Sequence, residues 1–222
     1  MIRLTINSGI ALTTHMKQSI ILRMDMGNSK RTEKLRRQYR NILRRFSNAG
    51  NYDGYFIGKV SLEFNMAADA GKMSENQAHI IKSRENYAEL AAGGDFADGY
   101  LSIHMYLMKP VSKATAQSNS GVQNKFATVN EYTQDMIFSK SEILSFVSDT
   151  GDFNPIHQGE HPVVPGLLIM EKIILDLMHS FIIRFRTPLY ADEPVRLVPH
   201  KASGRMDGYK CSDGVELFSC KY

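Results

Sequence analysis

The sequence predicts an α+β fold in which an antiparallel sheet wraps around a buried helix. Two observations carry that reading. The stretch 166–179 is apolar on most sides, with only Glu171, Lys172, Asp176 and His179 strongly polar, as in a helix buried nearly all round. Short strand-like runs follow over 180–190, 194–202, 205–211 and 214–222, separated by Asp192-Glu193, Gly204 and Ser212-Asp213-Gly214. The chain has 222 residues, 43% of them apolar and 23% charged, which suffices for one large domain or two small ones.

The elements run as follows. Residues 2–12 and 17–25 alternate apolar and polar side chains and suit a strand pair. Asn28 or Ser29 offers an N-cap to a helix over 30–46. Leu35, Tyr39, Ile42, Leu43 and Phe46 fall on one of its faces, and Arg31, Lys34, Arg37, Arg40, Arg44 and Arg45 on the other. The stretch 48–54 ends that helix. Residues 55–66 and 100–108 read as strands. Residues 77–92 fit either a helix or a strand that stops at a turn over Gly93-Gly94-Asp95. Residues 111–125, rich in Ser, Ala, Gln, Asn and Gly, read as a linker between an N-terminal region 1–110 and a C-terminal region 126–222. Residues 132–138 look like a strand. Ser139 and Glu142 then have the spacing of a capping box that opens a short helix through Ile143, Leu144, Phe146 and Val147.

Charge separates the two regions. Residues 1–125 hold 18 Lys and Arg against 10 Asp and Glu, whereas 126–222 hold 9 against 13. The total of +4 hides this split. No apolar run approaches the roughly 18 residues of a spanning helix. No signal-peptide core stands at the N-terminus, so the sequence reads as a soluble cytoplasmic protein. Two cysteines, Cys211 and Cys220, exclude a disulfide scaffold and read as reduced thiols.

The chemistry concentrates in one loop. Asp152-Phe153-Asn154-Pro155-Ile156-His157 places a carboxylate, an amide and an imidazole within six residues. Pro155 stiffens the segment. A carboxylate and an imidazole aimed at one point suit general acid–base work, because both can be tuned toward neutral pH. Asn154 can fix one of them by hydrogen bonding. Pro165-Gly166 then opens the apolar helix, whose first N–H groups can polarise a carbonyl or stabilise an enolate.

That segment resembles the MaoC-like, (R)-specific enoyl-CoA hydratase branch of the hotdog superfamily. The family carries Asp-x-Asn-Pro-x-His after a short helix, then a Pro-aliphatic-Val-His-Gly step into the central helix. Here that step is Pro162-Val163-Val164-Pro165-Gly166, and the likeness continues through Phe185-Arg186-Thr187-Pro188-Leu189-Tyr190-Ala191-Asp192-Glu193-Pro194-Val195. It covers about residues 130–222. The resemblance implies a hotdog fold and syn hydration of a trans-2-enoyl thioester, or the reverse dehydration. It implies Asp152 and His157 as the catalytic pair, Asn154 as their brace, and the Gly166 amide as oxyanion donor. Pro165 and Leu167 would lie against the substrate. It further implies a CoA or acyl carrier protein thioester as substrate, no metal or organic cofactor, and two hotdog units paired around the site. Those units sit in one chain or across a homodimer, with residues 1–110 as a degenerate hotdog-like or accessory domain. Two departures stand out: the loop from His157 to Gly166 is short for the family, and Pro165 replaces its histidine.

Other readings compete. A non-catalytic acyl-thioester-binding protein would retain the scaffold, and a hotdog thioesterase would release a free thiol. His157-Gln158-Gly159-Glu160-His161 matches the H-x-x-E-H pattern of inverted zinc peptidases, but Pro155, Gly159 and Pro162 oppose the helix that zinc binding needs. The basic face of 30–45 could meet nucleic acid, CoA phosphates, an acidic carrier or only water. No nucleic-acid reading motif accompanies it, and no membrane partner is expected.

Overall fold

The computed structural model describes residues 29–47, 49, 52, 54–66, 78–109, 134–177 and 179–222. The strands expected over 2–12 and 17–25, and the linker over 111–125, lie outside them. Helix α1 spans Ser29–Ser47. Leu35, Tyr39, Ile42, Leu43 and Phe46 are all buried, as their spacing requires. Each contributes about 1.5–3 kcal/mol relative to an exposed side chain, so this stripe holds α1 in place.

Four strands follow: β1 (Phe56–Asn65), β2 (His79–Arg84), β3 (Tyr87–Phe96) and β4 (Gly99–Met108). Residues 77–92, left open between helix and strand, are thus mostly two strands. The turn expected at Gly93-Gly94-Asp95 is instead the interior of β3, and the chain reverses at Ala97 and Asp98. The glycines serve close packing. A Cβ on Gly93 would stand 2.5 Å from the Tyr100 hydroxyl, and one on Gly94 would stand 3.1 Å from Ile42 and Arg45 of α1.

The C-terminal region contains β5 (Gln134–Met136), α2 (Lys140–Thr150), a 3₁₀ turn (Pro155–His157), α3 (Gly166–Leu177), β6 (Phe181–Phe185), β7 (Val195–His200), β8 (Arg205–Lys210) and β9 (Glu216–Lys221). The expected strand 180–190 stops at Phe185. Beyond it the chain crosses back, and Tyr190 bridges Val163 in the loop before α3. Within the expected strand 132–138, whose first two residues lie outside the described ones, Gln134–Met136 pair and the strand ends before Ile137. Half of the capping box forms: Ser139 Oγ accepts from the Glu142 N–H at 3.2 Å, while the Glu142 carboxylate pairs with Lys172 at 2.7 Å.

The nine strands among the described residues join one antiparallel sheet in the order β2-β3-β4-β1-β6-β9-β8-β7-β5. The two regions repeat one another outward from its centre. In each, the strand after the helix lies at the junction (β1 and β6), followed outward by β4, β3 and β2 on one side and by β9, β8 and β7 on the other, with β5 beyond β7. This is an α+β architecture in which one antiparallel sheet carries two similarly ordered sets of strands, each preceded by a helix. At the junction Val60 pairs with Ile183 and Leu62 with Phe181, all four buried. Each region thereby covers an edge strand that would otherwise expose unpaired backbone groups. Buried residues of α1, α2 and α3 belong to a single core with the sheet.

Candidate active site

Helix α2 delivers the site loop. It ends at Gly151, whose left-handed backbone (φ 71°) suits glycine and directs the Gly151 N–H to the Val147 carbonyl at 2.9 Å. The Asp152 N–H reaches that same carbonyl at 3.2 Å, so Asp152 rides on the end of α2. Asp152 Oδ1 accepts from the Asn154 N–H at 3.3 Å, and Asn154 Oδ1 accepts from the Ile156 N–H at 3.3 Å. Asn154 thus caps the 3₁₀ turn, which Pro155 opens and His157 closes.

The structure brings Asp152 and His157 together. Asp152 Oδ2 lies 3.5 Å from His157 Nε2, with the carboxylate half-buried and the imidazole nearly covered. The other ring nitrogen, Nδ1, stands 2.7 Å from the Val163 carbonyl. A carbonyl only accepts, so Nδ1 carries the proton and a neutral His157 presents Nε2 as an acceptor. A separation of 3.5 Å is long for a direct hydrogen bond.

Val163 also connects the pair to the helix. The loop 158–165 is laced to the chain after β6: Val164 N–H to Leu189 O at 2.8 Å, and Ala191 N–H to Pro162 O at 2.9 Å. Val163 lies three residues before Gly166, a span of at most about 10 Å of chain. Pro165 is buried, and its carbonyl accepts from the Leu168 and Ile169 N–H groups at 3.0 and 3.2 Å, so it opens α3. Gly166 carries the first N–H of that helix. A Cβ there would stand 2.8 Å from the Phe185 ring, which excludes a larger residue without movement. Leu167 is buried in the core, and its carbonyl accepts from the Tyr39 hydroxyl at 3.0 Å. Burial, then the charge of Glu171, raise the Tyr39 pKa well above the ordinary phenol value, so Tyr39 remains a neutral donor.

His161 is exposed, and the chain from His157 to His161 is a 3₁₀ turn and bends rather than a helix. Among the described residues no group of three His, Cys, Asp or Glu side chains stands close enough to hold a metal ion.

The basic face of α1 differs from expectation. Of its six cations, three bind groups on other elements. Arg40 binds Glu171 through Nε at 2.7 Å and Nη2 at 2.8 Å, and Asp149 through Nη1 at 2.6 Å. Arg44 donates to the Asp149 carbonyl and Arg45 to the Gly93 carbonyl. Arg36, outside the predicted face, adds a contact to Glu171 at 3.1 Å. Burial opposes the charge on Arg40, but hydrogen bonds and the negative charges of Glu171 and Asp149 outweigh it and raise its pKa. Glu171 has 1% of its side chain exposed, and burying an unpaired carboxylate there would be costly. An acid among the large apolar residues of this helix was the sequence signal that a cation must meet it. Lys30, Arg31, Lys34 and Arg37 stay exposed.

No family model matches the chain, and no curated protein does. Among solved structures it is similar to HtdX of Mycobacterium tuberculosis, at 10% identity over 75% of this chain and 73% of that one, with a TM-score of 0.48. It is similar to a MaoC-like dehydratase from Phytophthora capsici, at 12% identity over 78% and 73%, with a TM-score of 0.48. An acyl-ACP thioesterase from Bacteroides thetaiotaomicron is similar at 9% identity over 75% and 74%, with a TM-score of 0.41. No helix among the described residues is long and apolar enough to cross a membrane.

Proposed function

We propose that this chain hydrates trans-2-enoyl thioesters to (R)-3-hydroxyacyl thioesters, or catalyses the reverse dehydration, on CoA or an acyl carrier protein in the cytoplasm. The observation that carries the reading is the pair of Asp152 and His157, with the tautomer of His157 set by Val163 and the loop leading directly into α3. A water held between Nε2 and the Asp152 carboxylate attacks C3 of the enoyl group. One of its protons passes to the pair as the C3–O bond forms. Charge moves to the thioester oxygen, where the Gly166 N–H meets it. A proton then returns from the pair to C2, which restores the starting protonation. The addition consumes one water and needs no metal or organic cofactor. The pairing of two hotdog units, which the resemblance places around the site, is available within one chain through β1 and β6.

The test is the loss of conjugated-thioester absorbance when trans-2-enoyl-CoA or its carrier-protein counterpart is added. Loss with appearance of the (R)-3-hydroxyacyl product supports the reading. No loss across short and medium chains on both carriers sinks it, and release of free thiol instead would make the protein a thioesterase.

A further inference from the structure

We propose that Arg40, from the region without the motif, is a positioning residue that sets the spacing between the acid–base loop and the opening of α3. The inference rests on the reading of the site given above. Its guanidinium spans two elements at once: Nε and Nη2 hold Glu171, five residues into α3 from Gly166, and Nη1 holds Asp149, three residues before Asp152. The guanidinium is planar and its N–H groups have fixed directions, so both carboxylates are held in one geometry. Around it, Phe146 of α2 lies under the guanidinium at 5.3 Å, Arg44 holds the Asp149 carbonyl, and Tyr39 holds the Leu167 carbonyl at 3.0 Å. α1 therefore grips the last turn of α2 and the first turns of α3 through consecutive side chains. Those are the two elements whose ends carry Asp152 and Gly166. A misplacement of about 1 Å can cost on the order of 100-fold in rate, so this tie bears on turnover as well as on folding.

Two substitutions in the full-length chain separate positioning from stability. Asp149→Ala releases only the loop side, since Arg40 keeps its bidentate contact with Glu171 and Asp149 is itself exposed. Arg40→Lys keeps a charge but cannot hold both carboxylates in one plane. Each should lower kcat by about 10-fold or more while KM stays within about twofold, because substrate contacts are untouched. In NMR spectra the backbone amides of Asp152 and His157 and the His157 Nδ1 proton should shift in both variants. They should stay put in Arg196→Met, a control that removes an exposed pair with Asp135. If both variants retain wild-type kcat and unmoved loop resonances, and only the melting temperature falls, Arg40 is structural and the proposal is overturned. The resonances answer for Arg40 even if wild-type protein turns over no enoyl thioester, an outcome that would strike the proposed activity alone.

Discussion

Helices α1 and α3 occupy corresponding places in the two regions, each immediately before the strand at the sheet's centre, yet they are built oppositely. α3 is apolar, with Glu171 fully buried, and it follows a proline-stiffened loop bearing an acid and a base. α1 carries eight Lys and Arg in nineteen residues and buries a single stripe. The difference teaches how a repeated architecture divides its labour. The region with the motif carries the proposed acid–base pair and leaves a carboxylate buried. The other region supplies the cations that make this carboxylate tolerable. The opposed net charges of the two regions are in part this contact.

The largest break in that asymmetry comes at the loop. Asp152→Asn and His157→Ala should each reduce enoyl-thioester turnover by about 10²–10⁴-fold, the range for positioned acid–base groups, with circular dichroism unchanged. Wild-type rates in both would mean that chemistry does not divide between the regions as drawn. Next is the ion cluster. Glu171→Gln should destabilise the fold by about 3–5 kcal/mol in denaturant unfolding, because it leaves Arg40 partly buried without its main partner. A loss under about 1 kcal/mol would show that the two regions do not depend on this tie.

Two glycines sharpen the comparison through packing. A Cβ on Gly208 of β8 would stand 2.3 Å from the ring of Phe218, which is fully buried. Gly208→Ala should cost about 1–3 kcal/mol, as overpacking does. In β1, a Cβ on Gly58 would stand 2.1 Å from the terminal methyl of Met108, which is exposed and can turn aside. Gly58→Ala should cost clearly less, and equal losses would contradict this contrast. An effect confined to alkaline pH concerns the thiols. Burial, assisted by the charge of Asp207, pushes Cys220 up to about 12. Folded protein keeps this thiol neutral where an unfolded chain ionises it. Stability should therefore fall as pH rises from about 9 toward 12, at up to about 1.4 kcal/mol per pH unit. Iodoacetamide at pH 8 should label the partly exposed Cys211 well before Cys220. Equal labelling would mean that β9 opens readily at the centre of the sheet.

Much of this was legible in the residues. The apolar spacing of Leu35, Tyr39, Ile42, Leu43 and Phe46 announced α1 and its buried face, since a 3.6-residue period is a local property. Asp152, Asn154 and His157 were legible because six consecutive residues carry the whole acid–base pair. Gly93-Gly94 misled: glycine marks both a turn and a close approach, and only the packing of Tyr100 and α1 against β3 tells them apart. The end of β6 at Phe185 was equally invisible, because it depends on where Tyr190 finds Val163 across the loop.

By itself, then, the sequence determined the helices, most strands, the α+β class and the six-residue loop, all set by local periodicity, capping and stiffness. Only the tertiary structure decided which cations of α1 find partners on other elements, which carbonyl sets the tautomer of His157, and how two regions share one sheet. Those outcomes belong to contacts between residues far apart in the chain. Glu171 meets Arg40 across 131 positions, and burial makes that contact necessary although no local pattern records it.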